Sequence, residues 1–293
     1  VASVLSGGHL LIEDVPGVGK TLLAQVIARA IGGTFRRIQG TSDLLPGDVT
    51  GSLVPGGEPD GSRHDRSQPD RSAYAMRFRP GPVFANVVLF DELNRATPRT
   101  QSALLELAEE RTVTVDGESH PLPTPFLLIA TQNPIDIAGT YRLGEGALDR
   151  FAAVVSPGRA DPQSELEVLT GRRGRPMLAA VDAVLTVDEM RLAREAVAVV
   201  DVSDAVAGYV IALLEATRRH PQIRLGASTR AGVSLLALAR AIAASRGRSY
   251  VVADDVAVVA VAALAHRVAG TGDFHTGRAL VAECLASVSP PTV

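Results

Sequence analysis

The chain has 293 residues, 46% of them hydrophobic and 21% charged, which is enough apolar mass for about two globular domains. Its 29 basic and 32 acidic residues leave a formal charge of −3, which argues against a generally basic nucleic-acid-binding coat. A single cysteine, Cys284, excludes an intramolecular disulfide framework and a Cys-rich zinc site. It fits a reducing compartment, and a cytoplasmic location is the expectation.

The chain opens at Val1 in mid-pattern and without a basic leader, so its natural start is expected upstream. Apolar runs predict buried strands over 9–12, 35–39, 87–90 and 126–130, and helical spacing predicts helices over 22–31 and 100–110. Strands alternating with helices predict an α/β unit with a parallel sheet covered on both faces. From Leu53 to Pro80 the pattern breaks into Pro55-Gly56-Gly57, Pro59, Gly61 and a charged stretch over 63–71. A loop of that length is usually functional or disordered. After Pro157-Gly158 no further strands are predicted, and helices are expected over 162–170, 187–199, 203–219, 229–245 and 253–268. Ser203, Thr229 and Asp254 or Asp255 are the expected N-caps. The division is therefore an α/β domain over 1–158 and an all-helical domain over 159–293. The apolar run over 256–265 is half the roughly 20 residues of a membrane span. The six histidines have no metal-ligand spacing and are read as packing or surface residues.

Arginine is used throughout, yet the only lysine is Lys20. It lies in Glu13-Asp14-Val15-Pro16-Gly17-Val18-Gly19-Lys20-Thr21-Leu22, between a predicted strand and a predicted helix. This is the setting of a phosphate-binding loop. Gly17 and Gly19 let backbone N–H groups curve around a phosphate, Lys20 can reach the outer phosphates, and the Thr21 hydroxyl can hold Mg²⁺. Asp14 stands where the common pattern has its first glycine. The apolar strand Val87-Val88-Leu89-Phe90 ends in Asp91-Glu92, adjacent carboxylates that are costly at a buried strand tip unless a cation or a reacting water engages them. Asp91 is the candidate Mg²⁺ ligand and Glu92 the group that polarises water. The strand over 126–131 ends at Gln132-Asn133-Pro134, whose amide can orient water or touch a γ-phosphate.

The segment from Gly8 to Thr21 resembles the nucleotide loop of the MoxR group of AAA+ ATPases, a group that tolerates Asp at the first glycine position. Asp91-Glu92-Leu93-Asn94-Arg95-Ala96, running into Thr100 to Glu106, is similar to its Walker B strand and following helix. Ala130 to Pro134 and Leu148-Asp149-Arg150-Phe151 resemble its sensor 1 and arginine-finger regions, and Gly226 to Ala231 its sensor 2 helix. The resemblance implies a P-loop AAA+ α/β core, a parallel sheet sandwiched by helices, followed by an all-helical lid. It assigns Pro16, Gly17, Val18, Gly19, Lys20, Thr21 and Leu22 to ATP, Thr21 and Asp91 to Mg²⁺, and Glu92 to water activation. It makes Asn133 sensor 1, Arg150 a finger reaching a neighbouring subunit, and Arg230 the sensor 2 contact. It also implies a helix 2 insert at about 51–80, with 58–72 extended, very polar and expected to be disordered, and a hairpin at about 111–122 turning at Asp116-Gly117. Family members carry a helical segment before Gly8 that helps hold adenine, and it is expected to be absent here.

By resemblance the expected activity is ATP hydrolysis by a homo-hexameric ring that remodels or activates client complexes. A von Willebrand factor A domain protein is the expected partner, and no membrane span is foreseen. A nucleic-acid-translocating motor, with Arg77 and Arg79 flanking the insert, and a nucleotide switch of little turnover are the alternatives. The acid pair Asp91 and Glu92 counts against the switch.

Overall fold

The computed structural model describes residues 1–13, 19–55, 76–133, 139–158, 160–172, 178–270 and 274–291. Five parallel strands form one sheet: β1 (His9–Glu13), β2 (Phe35–Gln39), β5 (Val87–Asp91), β8 (Leu127–Gln132) and β9 (Phe151–Val155), in the order β2-β5-β8-β1-β9. The central strands are continuous apolar runs because helices cover both faces. The pleat divides β5 between them. Val88 and Phe90 enter a core with Leu93, Leu104, Leu105 and Phe126. Val87 and Leu89 enter another with Ile12, Ala24, Ala28 and Ile129. All four β5 side chains are fully buried, each stabilising the fold by about 1.5–3 kcal/mol relative to exposure.

Helices α1 (Ala2–Ser6), α2 (Lys20–Ala30), α3 (Pro46–Thr50), α4 (Pro98–Glu110) and α5 (Glu145–Leu148) accompany the sheet. α4 starts two residues earlier than expected. Thr97 caps it by accepting from Thr100 N at 3.4 Å, and Pro98 at the first position lacks only an N–H that the helix start leaves unbonded anyway. The expectation that no helical segment precedes Gly8 is corrected: α1 forms there and packs against β1. Two hairpins stand outside the main sheet. β3 (Gly51–Pro55) pairs with β4 (Met76–Pro80), bringing strand to the two ends of a stretch expected to be loop, and the middle of the insert, 58–72, lies outside the described residues. β6 (Thr112–Val115) pairs with β7 (Glu118–Pro121) through Asp116 (φ 51°) and Gly117 (φ 82°), the two-residue turn foreseen. Phe78 of β4 stacks on His120 of β7 with ring centroids 4.0 Å apart.

Further helices among the described residues are α6 (Pro162–Leu169), α7 (Val187–Ala198), α8 (Asp204–Arg219), α9 (Thr229–Ser245), α10 (Ala253–Leu264) and α11 (Phe274–Ser287). Strands do not stop after Gly158: β10 (Ile223–Leu225) and β11 (Ala269–Gly270) make a small antiparallel pair. Ser203 caps α8 as expected, accepting from Val206 N at 3.4 Å. Ser228, not Thr229, caps α9, accepting from Ala231 N at 3.1 Å. α10 is entered from Val252, and Asp255 works from the third helical position, where its carboxylate accepts Val252 N at 3.0 Å. That buried carboxylate also takes Arg246 at 2.8 Å and Arg248 at 2.6 Å, tying the end of α9 to the start of α10. The predicted helix over 253–268 ends at Leu264 and tightens into a 3₁₀ turn over Ala265–Arg267.

Candidate functional site

Parallel strands bring their tips to one edge. β1 ends at Glu13, β5 at Asp91 and β8 at Gln132, and the register sets Glu13 beside Gln132 and Gln39 beside Asp91. Gln132 Nε2 donates to Glu13 Oε1. α2 starts at this edge with Lys20 and Thr21, behind Gly19, whose φ of 83° suits a residue without a side chain. Its N-terminal N–H groups and dipole favour an anion there. α2 also packs on β5, so Lys20, Thr21 and Asp91 belong to one edge. Leu22 lies in the first turn of the same helix. Pro16, Gly17 and Val18 lie outside the described residues.

The two adjacent acids are held by a network. Thr131 Oγ1 donates to Asp91 Oδ1 at 2.6 Å and accepts from Glu92 N at 2.9 Å. Arg37 pairs with Asp91 Oδ2 at 2.6 Å. Glu92 takes a left-handed conformation (φ 57°, ψ 54°), sparsely populated for a residue with a side chain and often found where geometry serves function. Its Oε2 accepts from Gln39 Nε2 at 2.9 Å and lies 3.3 Å from Arg95 Nη1. Asn133 follows β8 at the same edge, and its carbonyl receives Asn94 Nδ2 at 3.5 Å. Thr131, Gln39 and Arg37 escaped the sequence reading. The carboxylates they serve are 40 to 54 positions away, and only strand register brings them together.

Mg²⁺ fits this edge only as a shared ion. Among the described residues no cluster of three His, Cys, Asp or Glu could hold a metal. One carboxylate (Asp91) and one hydroxyl (Thr21) suit an ion that takes its other ligands from phosphates and water. Asp91 already attracts a cation, the Arg37 guanidinium.

Arg150 and Arg230 lie elsewhere. Arg150 immediately precedes β9, whose Phe151 registers with His9, the first residue of β1. This is the amino edge, about 13 Å of strand from the tips at about 3.3 Å per residue. Glu109, near the end of α4, receives Arg150 Nε at 2.9 Å on one oxygen and Arg230 Nη2 at 2.6 Å on the other. The Arg150 guanidinium, aided by Arg230, holds the Glu109 carboxyl below the usual carboxylate range. Arg230 Nε also lies 3.7 Å from Asp149, which pairs with Arg267 at 2.9 Å. Arg267 donates to the carbonyls of Asp149 and Phe151 at 2.8 and 3.0 Å, and His266 Nε2 bonds the Phe151 carbonyl at 2.9 Å. The structure thus brings Arg150 and Arg230 to each other, on the opposite edge from Asp91 and Glu92.

An apolar cleft of about 290 Å³ opens beside α2, between α1, Leu23 and Ile27 on one side and Leu238 and Val259 of α9 and α10 on the other.

Comparison with known proteins agrees with this architecture. Residues 9–153 match the ATPase family associated with various cellular activities (AAA), and residues 215–283 match the AAA lid domain. A five-stranded parallel α/β unit followed by a helical lid over α7–α10 defines an AAA ATPase. The chain is 40% identical to "Chaperone MoxR1" of Mycobacterium tuberculosis over 282 residues, covering 93% of this chain and 71% of that protein. It is also 40% identical to "Uncharacterized protein YeaC" of Bacillus subtilis over 269 residues, covering 91% and 79%. The crystal structure of a putative ATPase from Cytophaga hutchinsonii superposes with a TM-score of 0.85 at 32% identity, covering 99% of this chain and 88% of that one. The chain belongs to the MoxR family of AAA ATPases. Membership implies ATP hydrolysis, with nucleotide binding and Mg²⁺ typical of the class, and suggests oligomerisation. No helix among the described residues is long and apolar enough to cross a membrane.

Proposed function

We propose that the chain is a ring-forming ATPase that remodels or activates partner protein complexes, with 1–158 as its nucleotide-binding part and 159–293 as its lid. The observation that carries this reading is the separation of Glu92 from Arg150 and Arg230 across the sheet. One chain offers a water-activating acid at one edge and charge-stabilising arginines at the other. A complete site then forms where the amino edge of one subunit meets the carboxyl edge of the next.

In that site Lys20 and the N–H groups at the start of α2 hold the phosphates, and the cleft beside Leu23 takes the base. Thr21 and Asp91 would hold Mg²⁺, which neutralises phosphate charge when bound. Glu92 accepts the proton of a water that attacks the γ-phosphorus, the bond to the bridging oxygen breaks, and ADP and phosphate leave. Gln39 and Thr131 keep Glu92 aimed, and Asn133 helps place the water. Arg150 and Arg230 offset the negative charge that spreads over the transferring phosphoryl group. A homo-hexamer is the ring this reading takes, with a von Willebrand factor A domain protein as its partner. The name of the mycobacterial relative, a chaperone, supports protein clients.

Mixed assembly tests the shared site. Arg150→Ala and Glu92→Gln proteins, each inactive alone, should regain ATPase activity when mixed, because some interfaces then join an intact Glu92 to an intact Arg150. If rings form and mixing restores nothing, the shared site is wrong. A nucleic-acid motor has one observation in its favour, the exposed side chains of Arg77 and Arg79 on one face of β4. Stimulation of ATPase by single-stranded DNA, falling steeply with salt, would establish it.

A further inference from the structure

The amino edge holds an acid that no step above uses. Glu109 is the only carboxylate among the described residues that ion-pairs with both Arg150 and Arg230, and it spends one oxygen on each. The three residues come from three places: Glu109 from α4, Arg150 from the turn before β9, and Arg230 from α9 of the lid. We infer that Glu109 is a positioning residue that fixes Arg150 and Arg230 as a single two-armed fork for the γ-phosphoryl group of a neighbouring subunit. The inference rests on the shared-site reading above and adds to it the group that builds the fork.

Three arguments carry it. Two guanidiniums side by side repel, and an anion between them offsets that repulsion. The carboxylate remains an anion at neutral pH, because its arginine partners hold its proton affinity down. Its geometry also matters. Two oxygens on one carbon, each bonded to a different guanidinium, hold the pair at the spacing needed to grasp two oxygens on one phosphorus. Each guanidinium has five N–H donors, so it can keep its bond to Glu109 while others reach the phosphoryl oxygens. The fork is braced from behind. Asp149 faces Arg230 at 3.7 Å and Arg267 at 2.9 Å, and Arg267 and His266 grip the main chain on either side of Arg150. Because Arg230 belongs to the lid, Glu109 also sets where the lid stands relative to the sheet while the phosphoryl group is held.

The test is Glu109→Gln, which keeps size and an acceptor but removes the charge. Turnover should fall roughly tenfold, as expected for arms no longer held in register. KM for ATP should stay within about twofold, since the phosphate and base contacts of the same chain are untouched. Glu109→Asp, with the charge but a shorter reach, should recover part of the loss, and it serves as the second variant if the amide perturbs folding. Mixing Glu109→Gln with Glu92→Gln should restore activity, which damage confined to a subunit's own nucleotide site would not allow. Wild-type turnover by Glu109→Gln overturns the inference. So does a loss that mixing fails to restore while Arg150→Ala is restored by the same partner. If Arg150→Ala is not restored either, the shared site itself falls and the fork with it.

Discussion

The two edges of the central sheet are built on different principles. At the carboxyl edge, polar side chains on or just after β1, β2, β5 and β8, with Arg37 and Arg95 among them, hold one another through bonds that follow strand register, such as Thr131 to Asp91 and Gln39 to Glu92. At the amino edge, long arginines reach over from the lid and from the turn before β9, and meet on Glu109 and Asp149. The first arrangement is rigid because the sheet is. The second depends on how the lid is seated. The placing of Asp91 and Glu92 is thus fixed by backbone pairing, whereas that of Arg150 and Arg230 is fixed by ion pairs, some of which reach the lid.

The sharpest way to break this contrast is to remove the outward charge. Arg150→Ala should lower turnover about a thousandfold while leaving ATP affinity nearly intact, measured by nucleotide binding alongside steady-state hydrolysis. Retained turnover would mean that the amino edge plays no part in the reaction. Next in size is the clasp on the other edge. Thr131→Val removes the hydroxyl from both Asp91 and Glu92 and should reduce kcat about a hundredfold, with a weakened Mg²⁺ dependence. Should the variant hydrolyse ATP normally, register alone holds the acids. Gln39→Ala frees the end of Glu92 and also removes the acceptor of Arg37, whose Nη2 donates to Gln39 Oε1 at 2.8 Å, and should cost about tenfold in kcat, with no change in the transition midpoint of unfolding.

The smallest effect at neutral pH belongs to the buried histidines of the amino edge. Burial, with Arg111 nearby for His9 and Arg267 for His266, pushes both imidazoles down to about 3. His9 Nε2 donates to the Ala108 carbonyl and Nδ1 accepts from Leu128 N, so the ring is needed neutral. The unfolded chain takes up these protons near 6.5 and the folded chain only near 3. Stability is therefore full above 6.5, falls as pH drops through that window, and levels off below it. Denaturant titrations of His9→Gln and His266→Gln between pH 7 and about 4 should show a flatter fall than wild type. An unaltered slope would assign the acid sensitivity to carboxylates instead.

Much of this architecture is written in local pattern. The strands expected at 87–90 and 126–130 (found at Val87–Asp91 and Leu127–Gln132), the helix expected from Leu22 (found from Lys20) and the Asp116-Gly117 hairpin need no long-range information, because apolar runs and turn chemistry specify them. β9 is harder to see, a five-residue run directly after a charged turn. α11 is hidden by Gly277, a poor helix former that is required where the helix passes so close to Ala265 that a Cβ would lie 2.5 Å from its carbonyl oxygen. The site divides in the same way. Lys20, Thr21, Asp91 and Glu92 announce themselves by residue type and spacing, whereas Thr131, Gln39 and Glu109 matter only through partners that folding brings to them.

The stack of Phe78 on His120 makes one paddle of two hairpins. A displacement of β4 passes to β7 through that ring pair, and β7 leads through 122–126 into β8, the strand whose Thr131 holds Asp91. A partner bound to either hairpin would thus bear on both, and on the strand that carries Thr131 to Asp91 and Glu92.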